Sequence, residues 1–418
     1  MAPRRAVIVV GGGAAGMVAA IAAARRGATA EILERLPRVG KKLLATGNGR
    51  CNLANARPDP GRFHGEDPAF TRAALGAFGL EETLRFFAGL GIEAREEEAG
   101  KIFPRSGQAA AVLDVLRHEL ARLGVRTHCE AAVSRLEARG GLWRARTPSE
   151  VHEGAAVVLA PGGRAAPQLG SNGSGHALAA ALGHRIVEPF PALTRLRVRS
   201  PWLAHLKGLK VEGTVSLGGV TAAGEILFTG TGLSGPPVLD VSRRAGELLR
   251  RGREVRAVLD LCPDVAPAAL SGLLLDRFSS RPGNSAEFAL VGFLHKRLIV
   301  PALREAGIDP AGNADGVEGA RVRALAALLH GWAFAVTGTD SWADAQVTAG
   351  GVATTQVDPA TLESRLAPGL FLAGEVLDVD GDCGGFNLQW AWSSGHVAGT
   401  AAAARVLESP LPPFAKGG

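Results

Sequence analysis

The sequence predicts an α/β protein in which a parallel sheet is interrupted by a β-rich insertion. A strand, a glycine-rich turn, a helix and a second strand follow one another between Ala6 and Glu34. Residues 192–262 alternate and are rich in β-branched side chains, and a later buried strand, Leu370–Ala373, ends in glycine. Strands joined by helices are typical of a parallel sheet, whereas alternating strands are typical of an antiparallel sheet or small barrel.

The opening stretch has the pattern of a Rossmann-like dinucleotide site. The apolar residues Ala6–Val10 lead directly into Gly11-x-Gly13-x-x-Gly16, and an alanine-rich helix follows. The first glycine permits a tight turn, the second lets a pyrophosphate approach the backbone, and the third lets helix and strand pack closely. Glu34 ends the second strand, where a carboxylate can accept hydrogen bonds from a ribose diol.

An alternative for the same stretch is a secretory signal peptide. Arg4 and Arg5 precede a charge-free run to Ala24 with Ala-x-Ala sites near its end. Three successive glycines in the middle argue against export, and cleavage there would remove the phosphate loop. The four cysteines lie far apart and form no CxxC pair, which excludes a disulfide framework and a zinc ribbon. We therefore expect a cytoplasmic protein.

The composition is that of a globular protein with two or three domains. The chain has 418 residues, of which 46% are hydrophobic and 21% are charged. A net charge of +6 is compatible with nucleic-acid binding, but no dense basic block with interleaved aromatic residues accompanies it. We expect a solvated, arginine-rich surface whose field favours an anionic cofactor or substrate. No apolar run after the first helix is long enough to span a membrane.

A second glycine-rich segment, Arg38–Asn55, brings positive charge next to the first loop. Lys41, Lys42 and Arg50 supply the charge, and residues 46–49 offer backbone N–H groups with little steric cover. The segment is predicted to lie along an extended dinucleotide, and the alternative is an ordinary Gly/Asn loop.

Two later strands also end in glycine. Residues 155–160 lead into Pro161-Gly162-Gly163, and Leu370–Ala373 leads into Gly374-Glu375. A strand that ends in glycine suits a backbone that passes close to a ligand.

The closing part of the chain predicts the flavin end of an FAD site. A loop with three aspartates follows Glu375, and Gly384–Asn387 then open a long helix. A carboxylate at a strand end can bind ribityl hydroxyls, and a helix N-terminus can stabilise negative charge on a reduced flavin. The alternative is an acidic loop that caps the last helix. The opening unit decides for FAD, because this cofactor needs a site at each of its ends.

A third glycine motif gives a competing nucleotide site. Gly230-x-Gly232-x-x-Gly235 follows a strand and precedes a potential helix, as an NAD(P) site would require. Pro236-Pro237, placed where that helix should open, argues against this alternative.

The remaining elements follow from periodicity and capping signals. Isolated histidines, such as His295 and His330, are more often structural than ligands, and no metal site is predicted. The patterns predict helices over 66–91 and 264–330, and a further helix that extends from an N-cap at Ser106 to Leu123. They predict strands over 132–136, 142–146 and 332–338.

The chain resembles the BaiN-type (YhiN-like) FAD-dependent oxidoreductases, a family that includes aminoacetone oxidase-like flavoproteins. The stretches that carry the resemblance are GGGAAG, GKKLLATGNGRCNL, GEILFTGTGLSGP, AQVTAGGV and LAGEVLDVDGDCGGFNLQWAWSSG. The resemblance implies an α/β fold with a Rossmann-like FAD-binding domain of the two-dinucleotide-binding-domain flavoprotein type. It also implies an inserted β-barrel-like domain with a helical insert. The expected division is an FAD domain at 1–191 and 345–410, a barrel at 192–262, a helical insert at 263–330 and a return strand at 331–344.

The resemblance also implies a set of cofactor-binding residues, but no catalytic acid or base. Two departures from the family pattern are Pro161, where we expect Thr, and Gly230, where many members carry His; the second puts any catalytic role carried over for that position in doubt. The expected cofactor site consists of Gly11, Gly13, Ala14, Ala15, Gly16, Glu34, Arg35, Lys42, Thr46, Gly47, Arg50, Cys51, Asn52, Val133, Ala160, Gly162, Gly163, Gly374, Glu375, Asp378, Gly385, Phe386 and Asn387.

The predicted function is hydride transfer through bound FAD. NAD(P)H is the expected transient reductant, and the resemblance indicates an enone-type small molecule as the acceptor. One alternative is an amine or amino-ketone oxidase that uses dioxygen. Others are a tRNA-modifying flavoprotein, disfavoured by the scattered basic residues, and a non-catalytic FAD-binding redox scaffold. No pattern in the chain indicates an oligomeric state.

Overall fold

The computed structural model describes residues 6–280 and 282–408. Within these residues the chain forms two compact units. Unit 1 contains residues 6–190 and 346–408, and unit 2 contains residues 191–345. Arg4 and Arg5, as well as the last two residues of the expected 345–410 segment, lie outside the described residues.

The described part of the chain is built from short strands and from helices of very different length. The strands are β1 (Ala6–Val10), β2 (Thr29–Leu33), β3 (Ala54–Asn55), β4 (Phe63–His64), β5 (Ala94–Glu96), β6 (Lys101–Pro104), β7 (Arg126–His128), β8 (Arg135–Arg139), β9 (Leu142–Arg146), β10 (Val151–Gly154), β11 (Ala156–Leu159), β12 (Ile186–Ala192), β13 (Leu196–Arg199), β14 (Lys210–Leu217), β15 (Val220–Phe228), β16 (Gly232–Ser234), β17 (Val255–Asp260), β18 (Trp332–Thr339), β19 (Val347–Val352), β20 (Leu370–Leu372) and β21 (Asp380–Gly381). The α-helices are α1 (Ala14–Arg25), α2 (Thr71–Ala77), α3 (Leu80–Gly89), α4 (Ala109–Arg122), α5 (Ser174–Ala181), α6 (Leu203–Leu206), α7 (Pro236–Arg250), α8 (Pro267–Ser279), α9 (Ala286–Ala289), α10 (Lys296–Glu305), α11 (Gly319–His330) and α12 (Phe386–Glu408).

Unit 1 is organised around a parallel sheet with the strand order β20-β11-β1-β2-β7. Central strand β1 pairs Ile8 with Val157 on one side and with Glu31 on the other. All five residues of β1 are buried, as expected for a parallel strand covered on both faces. The predicted βαβ unit is confirmed, and β1 has the predicted bounds.

The two ends of the chain pack against each other in unit 1. A Cβ atom added to Gly395 would lie 2.4 Å from the carbonyl oxygen of Ala15, and one added to Gly399 would lie 2.1 Å from that of Ala19. Helices α1 and α12 therefore run in the same direction with their backbones almost in contact. Glycine at these positions permits that approach, because any side chain would meet backbone atoms of the other helix.

The opposite face of the sheet is covered by the antiparallel meander β8–β10. A Cβ atom on Gly154 would lie 2.9 Å from the Ile8 side chain, whereas one on Gly16 of α1 would lie 3.3 Å from that of Val9. Successive residues of a strand point to opposite faces, so helix and meander cover different faces.

Two local predictions in unit 1 are wrong. The first strand of the meander begins at Arg135 rather than at residue 132. Helix α4 begins at Ala109 with Gln108 as its N-cap, because the chain turns at residues 105–106 before it becomes helical; Ser106 is therefore not the cap.

Unit 2 contains a closed antiparallel barrel with the strand order β13-β16-β15-β14-β17-β18. The apolar residues of the alternating strands, such as Val215, Ile226 and Leu259, are buried in its core. Helices α8–α11 lie between β17 and β18 in sequence. The predicted β-barrel-like insertion with a helical insert is confirmed.

The glycine motif at 230–235 belongs to this barrel. Gly232 lies in β16, and a Cβ atom there would be 1.9 Å from the carbonyl oxygen of Leu196 on β13. Helix α7 does open at Pro236, since proline fits the first turn of a helix, so the argument from Pro236-Pro237 is wrong. The motif is nevertheless a barrel strand rather than a phosphate-binding turn.

Candidate functional site

The three glycines of the opening turn differ in what surrounds them. Gly11 has a φ of +101°, and a Cβ atom there would lie 2.5 Å from the carbonyl oxygen of Ala160. A Cβ atom on Gly16 would lie 1.9 Å from the carbonyl oxygen of Gly11, whereas one on Gly13 would have no atom within 4 Å. The fold requires the first and third glycines. The second glycine borders open space at the start of α1, where no side chain in the described part of the chain caps the helix amides.

Glu34 is held rigidly beside this turn. Its Oε2 accepts a hydrogen bond from the Gly12 amide and its Oε1 accepts one from the Leu36 amide, both at 2.8 Å. Each carboxylate oxygen retains acceptor capacity for a further hydrogen bond. The Ala131 amide donates to the Glu34 carbonyl oxygen at 2.8 Å, which brings the segment with half-buried Val133 close to Glu34.

The second loop has an irregular backbone. Gly47, Asn48 and Gly49 all have positive φ values, of 56°, 55° and 83°. The Thr46 hydroxyl fixes the preceding turn by donating to the Leu43 carbonyl oxygen at 2.6 Å. A succession of left-handed residues can present several backbone amides to one anion, as in loops that bind anions.

The side chains that follow in this loop have different environments. The Arg50 guanidinium lies 4.1 Å from the centre of the Phe103 ring and pairs with Glu97 at 2.5 Å, so its charge is already compensated. Asn52 Oδ1 is buried and has no hydrogen-bond partner among the described residues. Burial raises the pKa of the Cys51 thiol to about 12, which makes it unreactive near neutral pH.

The turn after β20 lies against the start of α1. A Cβ atom on Gly374, whose φ is +75°, would be 2.9 Å from the Ala15 Cβ atom. The Gly374 amide donates to Ser394 Oγ at 2.9 Å, and its carbonyl oxygen accepts from Trp390 Nε1 at 3.1 Å. Both partners belong to α12, which therefore fixes this turn beside the opening glycines.

Thr348 connects three of the predicted segments, although the sequence did not indicate it as a site residue. Its Oγ1 accepts hydrogen bonds from the Arg164 and Ala165 amides at 2.7 and 2.9 Å and donates to Glu375 Oε1 at 2.7 Å. The other oxygen of Glu375 pairs with Lys42 at 2.7 Å. The buried hydroxyl thus joins the segment after β11 to the turn after β20, and the Glu375 carboxylate extends this connection to the second loop.

Close packing leaves no room for side chains on the glycines after β11. A Cβ atom on Gly163 would lie 2.3 Å from Thr348 Oγ1, and one on Gly162 would lie 2.4 Å from Ser171 Oγ. His176, in α5, is buried, and its Nε2 has no hydrogen-bond partner among the described residues. Burial lowers the pKa of His176, against a smaller opposite effect of Glu375. The sequence did not indicate His176 either.

The start of α12 lies against the end of the second loop. A Cβ atom on Gly385 would be 2.3 Å from the Ala54 carbonyl oxygen. Phe386 packs edge-on against Phe63, with ring centres 5.9 Å apart. Asn387 bonds the Gly381 backbone through both of its side-chain atoms, at 2.9 and 2.6 Å.

Asp378, just before this segment, is buried and accepts a hydrogen bond from the Glu66 amide at 2.8 Å. On the other side of the opening turn, Arg35 donates to the Gly170 carbonyl oxygen at 3.2 Å. The predicted site residues of both chain ends thus lie in unit 1 with contacts that connect the loops.

The sequence matches the model of the HI0933-like protein Rossmann domain over residues 5–401. The chain belongs to this family. This match confirms the resemblance. Together with the 3-dehydro-bile acid reductase described next, it confirms the predicted class of enzyme, an FAD-dependent oxidoreductase.

Three curated relatives are similar to this HI0933-like chain over most of its length. A 3-dehydro-bile acid delta(4,6)-reductase of Clostridium scindens is 41% identical over 384 residues, which are 90% of this chain and 92% of the relative. A ribosomal RNA dihydrouridine synthase of Haemophilus influenzae is 30% identical, covering 89% of this chain and 92% of the relative. A protein of the same description from Escherichia coli is 30% identical, with coverages of 88% and 90%.

Across the described ranges, 6–280 and 282–408, no helix has both the length and the apolarity to cross a bilayer.

Proposed function

We propose that unit 1 is the FAD-binding domain and that it uses residues from both ends of the chain. The strands β1, β11 and β20 are parallel neighbours, so their carboxyl ends meet at one edge of the sheet. Ligands of open α/β sheets bind at that edge. We keep the boundaries at 191/192, 262/263, 330/331 and 344/345 as the proposed division of the chain.

The residues at this edge fit FAD. Open space at Gly13 and uncapped amides at the start of α1 suit a pyrophosphate. Glu34 suits the adenosine ribose, whose hydroxyls can donate to a carboxylate that is already fixed in place. Asn52 Oδ1 and His176 Nε2 are buried and have no hydrogen-bond partner within 6–280 and 282–408, so both atoms are available to a polar ligand. The start of α12 near Asn387 is proposed for the flavin end.

The proposed reaction is the reduction of a carbon–carbon double bond conjugated to a carbonyl group. FAD, when bound, supplies hydride transfer, and NAD(P)H is the proposed source of the electrons. The observation that carries this proposal is the 41% identity with a reductase whose name describes a 3-oxo steroid with double bonds at positions 4 and 6. The residues of the chain bind and orient the cofactor; Lys42, paired with Glu375, joins the second loop to the turn after β20.

A second candidate is reduction of uridine in RNA. Two relatives named as ribosomal RNA dihydrouridine synthases, both 30% identical, favour it. The double bond that is reduced in uracil is also conjugated to a carbonyl group, so one kind of hydride acceptor serves both candidates. The net charge of +6 supports an anionic partner but does not choose between them.

Anaerobic spectroscopy of the purified chain tests these proposals in sequence. We expect the purified chain to show the absorption spectrum of an oxidised flavin. NADH or NADPH should reduce the flavin and bleach this spectrum, and a 3-oxo-4-ene steroid should then reoxidise the flavin and restore it. Restoration by unmodified ribosomal RNA, with dihydrouridine as the product, would favour the second candidate. Restoration by air alone, together with reduction by an amine, would favour an oxidase. A chain that neither contains nor takes up FAD would refute the cofactor proposal.

Gly13 offers a sharper test of the pyrophosphate site. Its φ of −80° and ψ of −169° are open to other residues, and asparagine and aspartate are both good N-caps. Gly13→Asp and Gly13→Asn should therefore leave the cofactor-free fold intact. Only Gly13→Asp places a negative charge beside the pyrophosphate, so it should weaken FAD binding at least about tenfold more than Gly13→Asn. Equal affinities, measured by fluorescence titration, would contradict this placement.

A further inference from the structure

A cluster of metal-ligating side chains lies between the parallel sheet and the meander of unit 1, in a place that the proposed FAD site does not use. Glu31 of β2, His128 of β7 and His152 of β10 each offer an atom within 4.8 Å of the atoms offered by the other two. His128 Nε2 lies 3.2 Å from Glu31 Oε2, and His152 Nδ1 lies 3.5 Å from Glu31 Oε1. The two histidine rings meet edge-to-face with centres 4.7 Å apart.

The sheet register explains why these side chains meet. Glu31 pairs with Arg126 and Leu33 pairs with His128 in the parallel ladder between β2 and β7. Positions two apart along a strand share a face, so Glu31 and His128 point to the same side of the sheet. Strand β10 lies on that side, with Gly154 close to the backbone of β1, and brings His152 over Glu31.

Because Glu31 is buried, its carboxylate requires a compensating positive charge. The side chains of Glu31 and His152 are each only 5% exposed, and that of His128 is 30% exposed. A buried carboxylate is costly unless a positive charge compensates it. His128 Nε2, which faces Glu31, is buried and has no hydrogen-bond partner among the described residues.

Two nitrogen–oxygen distances within the cluster are similar to those between neighbouring ligands of a small divalent cation. Zinc binds histidine nitrogen and carboxylate oxygen at about 2.0–2.1 Å, so neighbouring ligand atoms of a tetrahedral site lie about 3.3–3.4 Å apart. The two observed nitrogen–oxygen separations are close to that value but end on different oxygens of Glu31: His128 Nε2 lies 3.2 Å from Oε2, and His152 Nδ1 lies 3.5 Å from Oε1. A rotation of the carboxylate would present one oxygen to both nitrogens.

We propose that Glu31, His128 Nε2 and His152 Nδ1 bind one divalent cation of the zinc type. The remaining position of a tetrahedral shell is left to solvent. Glu150 Oε1 lies 3.5 Å from His152 Nε2 and 3.9 Å from His128 Nδ1, the ring nitrogens that would not contact the metal. A carboxylate behind a metal-binding histidine is common, because it fixes the tautomer and orientation of the ring. Bound metal would tie β10 of the meander to β2 and β7 of the sheet.

Arg126 would compete with a metal ion for the carboxylate of Glu31. Its Nη2 lies 3.4 Å from Glu31 Oε2, and its side chain is 51% exposed. A half-exposed guanidinium on a flexible stem can move into solvent when a cation binds. The alternative to a metal site is therefore an ion-pair network in which Arg126 and the two histidines surround Glu31.

Metal analysis of the full chain distinguishes the two arrangements. After treatment with a chelator and equilibrium dialysis against zinc, we expect about one zinc ion per wild-type chain. His152→Asn and His128→Asn should abolish this stoichiometric binding. His118→Asn, which changes an exposed histidine of α4, is the matched control and should retain it. Glu150→Ala should weaken the affinity by about tenfold or more.

Arg126→Gln distinguishes loss of a metal ligand from misfolding of the variant chains. Because it removes the competing charge, it should bind zinc more tightly than the wild type, and misfolding cannot produce that gain. Zinc should also raise the unfolding temperature of the wild type but not that of His152→Asn. Absence of zinc binding by the wild type, or equal binding by the wild type and both histidine variants, would overturn the proposal in favour of the ion-pair network.

Discussion

The hydroxyl of Thr348 allows a prediction about how the loops of the site are held together. Thr348→Val keeps the shape of the side chain but removes the oxygen that accepts from the Arg164 and Ala165 amides and donates to Glu375. Thr348→Ser keeps the oxygen and removes one methyl group. The pair of variants therefore separates the hydrogen bonds from the apolar packing.

The expected loss follows from the burial of these groups. Thr348 is completely buried, and its bond from the Ala165 amide is buried as well. Each buried group left without a partner costs about 1–3 kcal/mol, so Thr348→Val should lose about 2–4 kcal/mol in the free energy of unfolding. Thr348→Ser should lose only about 1 kcal/mol, the contribution of one buried methyl group.

Thermal unfolding and hydrogen exchange measure this difference. A loss of 2–4 kcal/mol corresponds to a fall of roughly 4–16 °C in unfolding temperature for a domain of this size. Amide exchange in the peptide that contains residues 160–166 should accelerate by roughly thirtyfold or more in Thr348→Val. If Thr348→Val were as stable as Thr348→Ser, and protected that peptide equally well, the role assigned to the hydroxyl would be wrong.

Three further predictions concern packing, thiol reactivity and pH. Gly399→Ala places a methyl group 2.1 Å from the Ala19 carbonyl oxygen and should lower the free energy of unfolding by urea by about 1–3 kcal/mol. Gly76→Ala, whose methyl group would meet no atom of the described residues within 4 Å, should raise it by about 0.5 kcal/mol. An unchanged free energy of unfolding in Gly399→Ala would contradict the close helix contact. Iodoacetamide at pH 8 should label exposed Cys129 before buried Cys51, whose pKa is raised to about 12, and peptide mass mapping that found equal labelling would refute this. Burial lowers the pKa of His184 below 6.5, and its Nε2 lies 2.8 Å from Ser364 Oγ. The unfolded chain therefore takes up the proton first, so stability should fall as the pH drops below about 6.5, and less steeply in His184→Gln; unfolding curves of equal pH dependence would exclude His184 as a source.

Features that depend on neighbouring residues in the chain were predictable from the sequence. Strand β1, the glycine turn and the start of α12 at Phe386 arise from local apolar runs and glycines, and the structure has them where the patterns indicate. The alternation over residues 192–262 predicted a sheet or barrel, but only the pairing of β13 with β18 shows that it closes. The sequence predicted β18 as a return strand, but the pairing that closes the barrel joins strands more than one hundred residues apart, and no local pattern encodes such a pairing.

Features that arise from pairing between distant strands were missed. Thr348 is one threonine in an apolar strand, and nothing around it in the sequence indicates that two amides of another loop bond to it. Glu31, His128 and His152 have no ligand-like spacing, because sheet register rather than sequence distance brings them together. Conversely, Gly230–Gly235 has the spacing of a nucleotide-binding motif, but Gly232 instead permits the close approach of two barrel strands.

The packing of α1 against α12 has a consequence for how the protein is made. When the ribosome has completed β1 and α1, the helix that covers them lies more than 350 residues downstream. At a synthesis rate of about 5–20 residues per second, the apolar face of α1 remains uncovered for roughly 20–70 s before α12 is made. Unit 2 is continuous and is complete earlier. Nascent chains stalled before residue 386 should therefore contain a folded barrel but an incomplete first unit, which chaperones that recognise exposed apolar surface would bind.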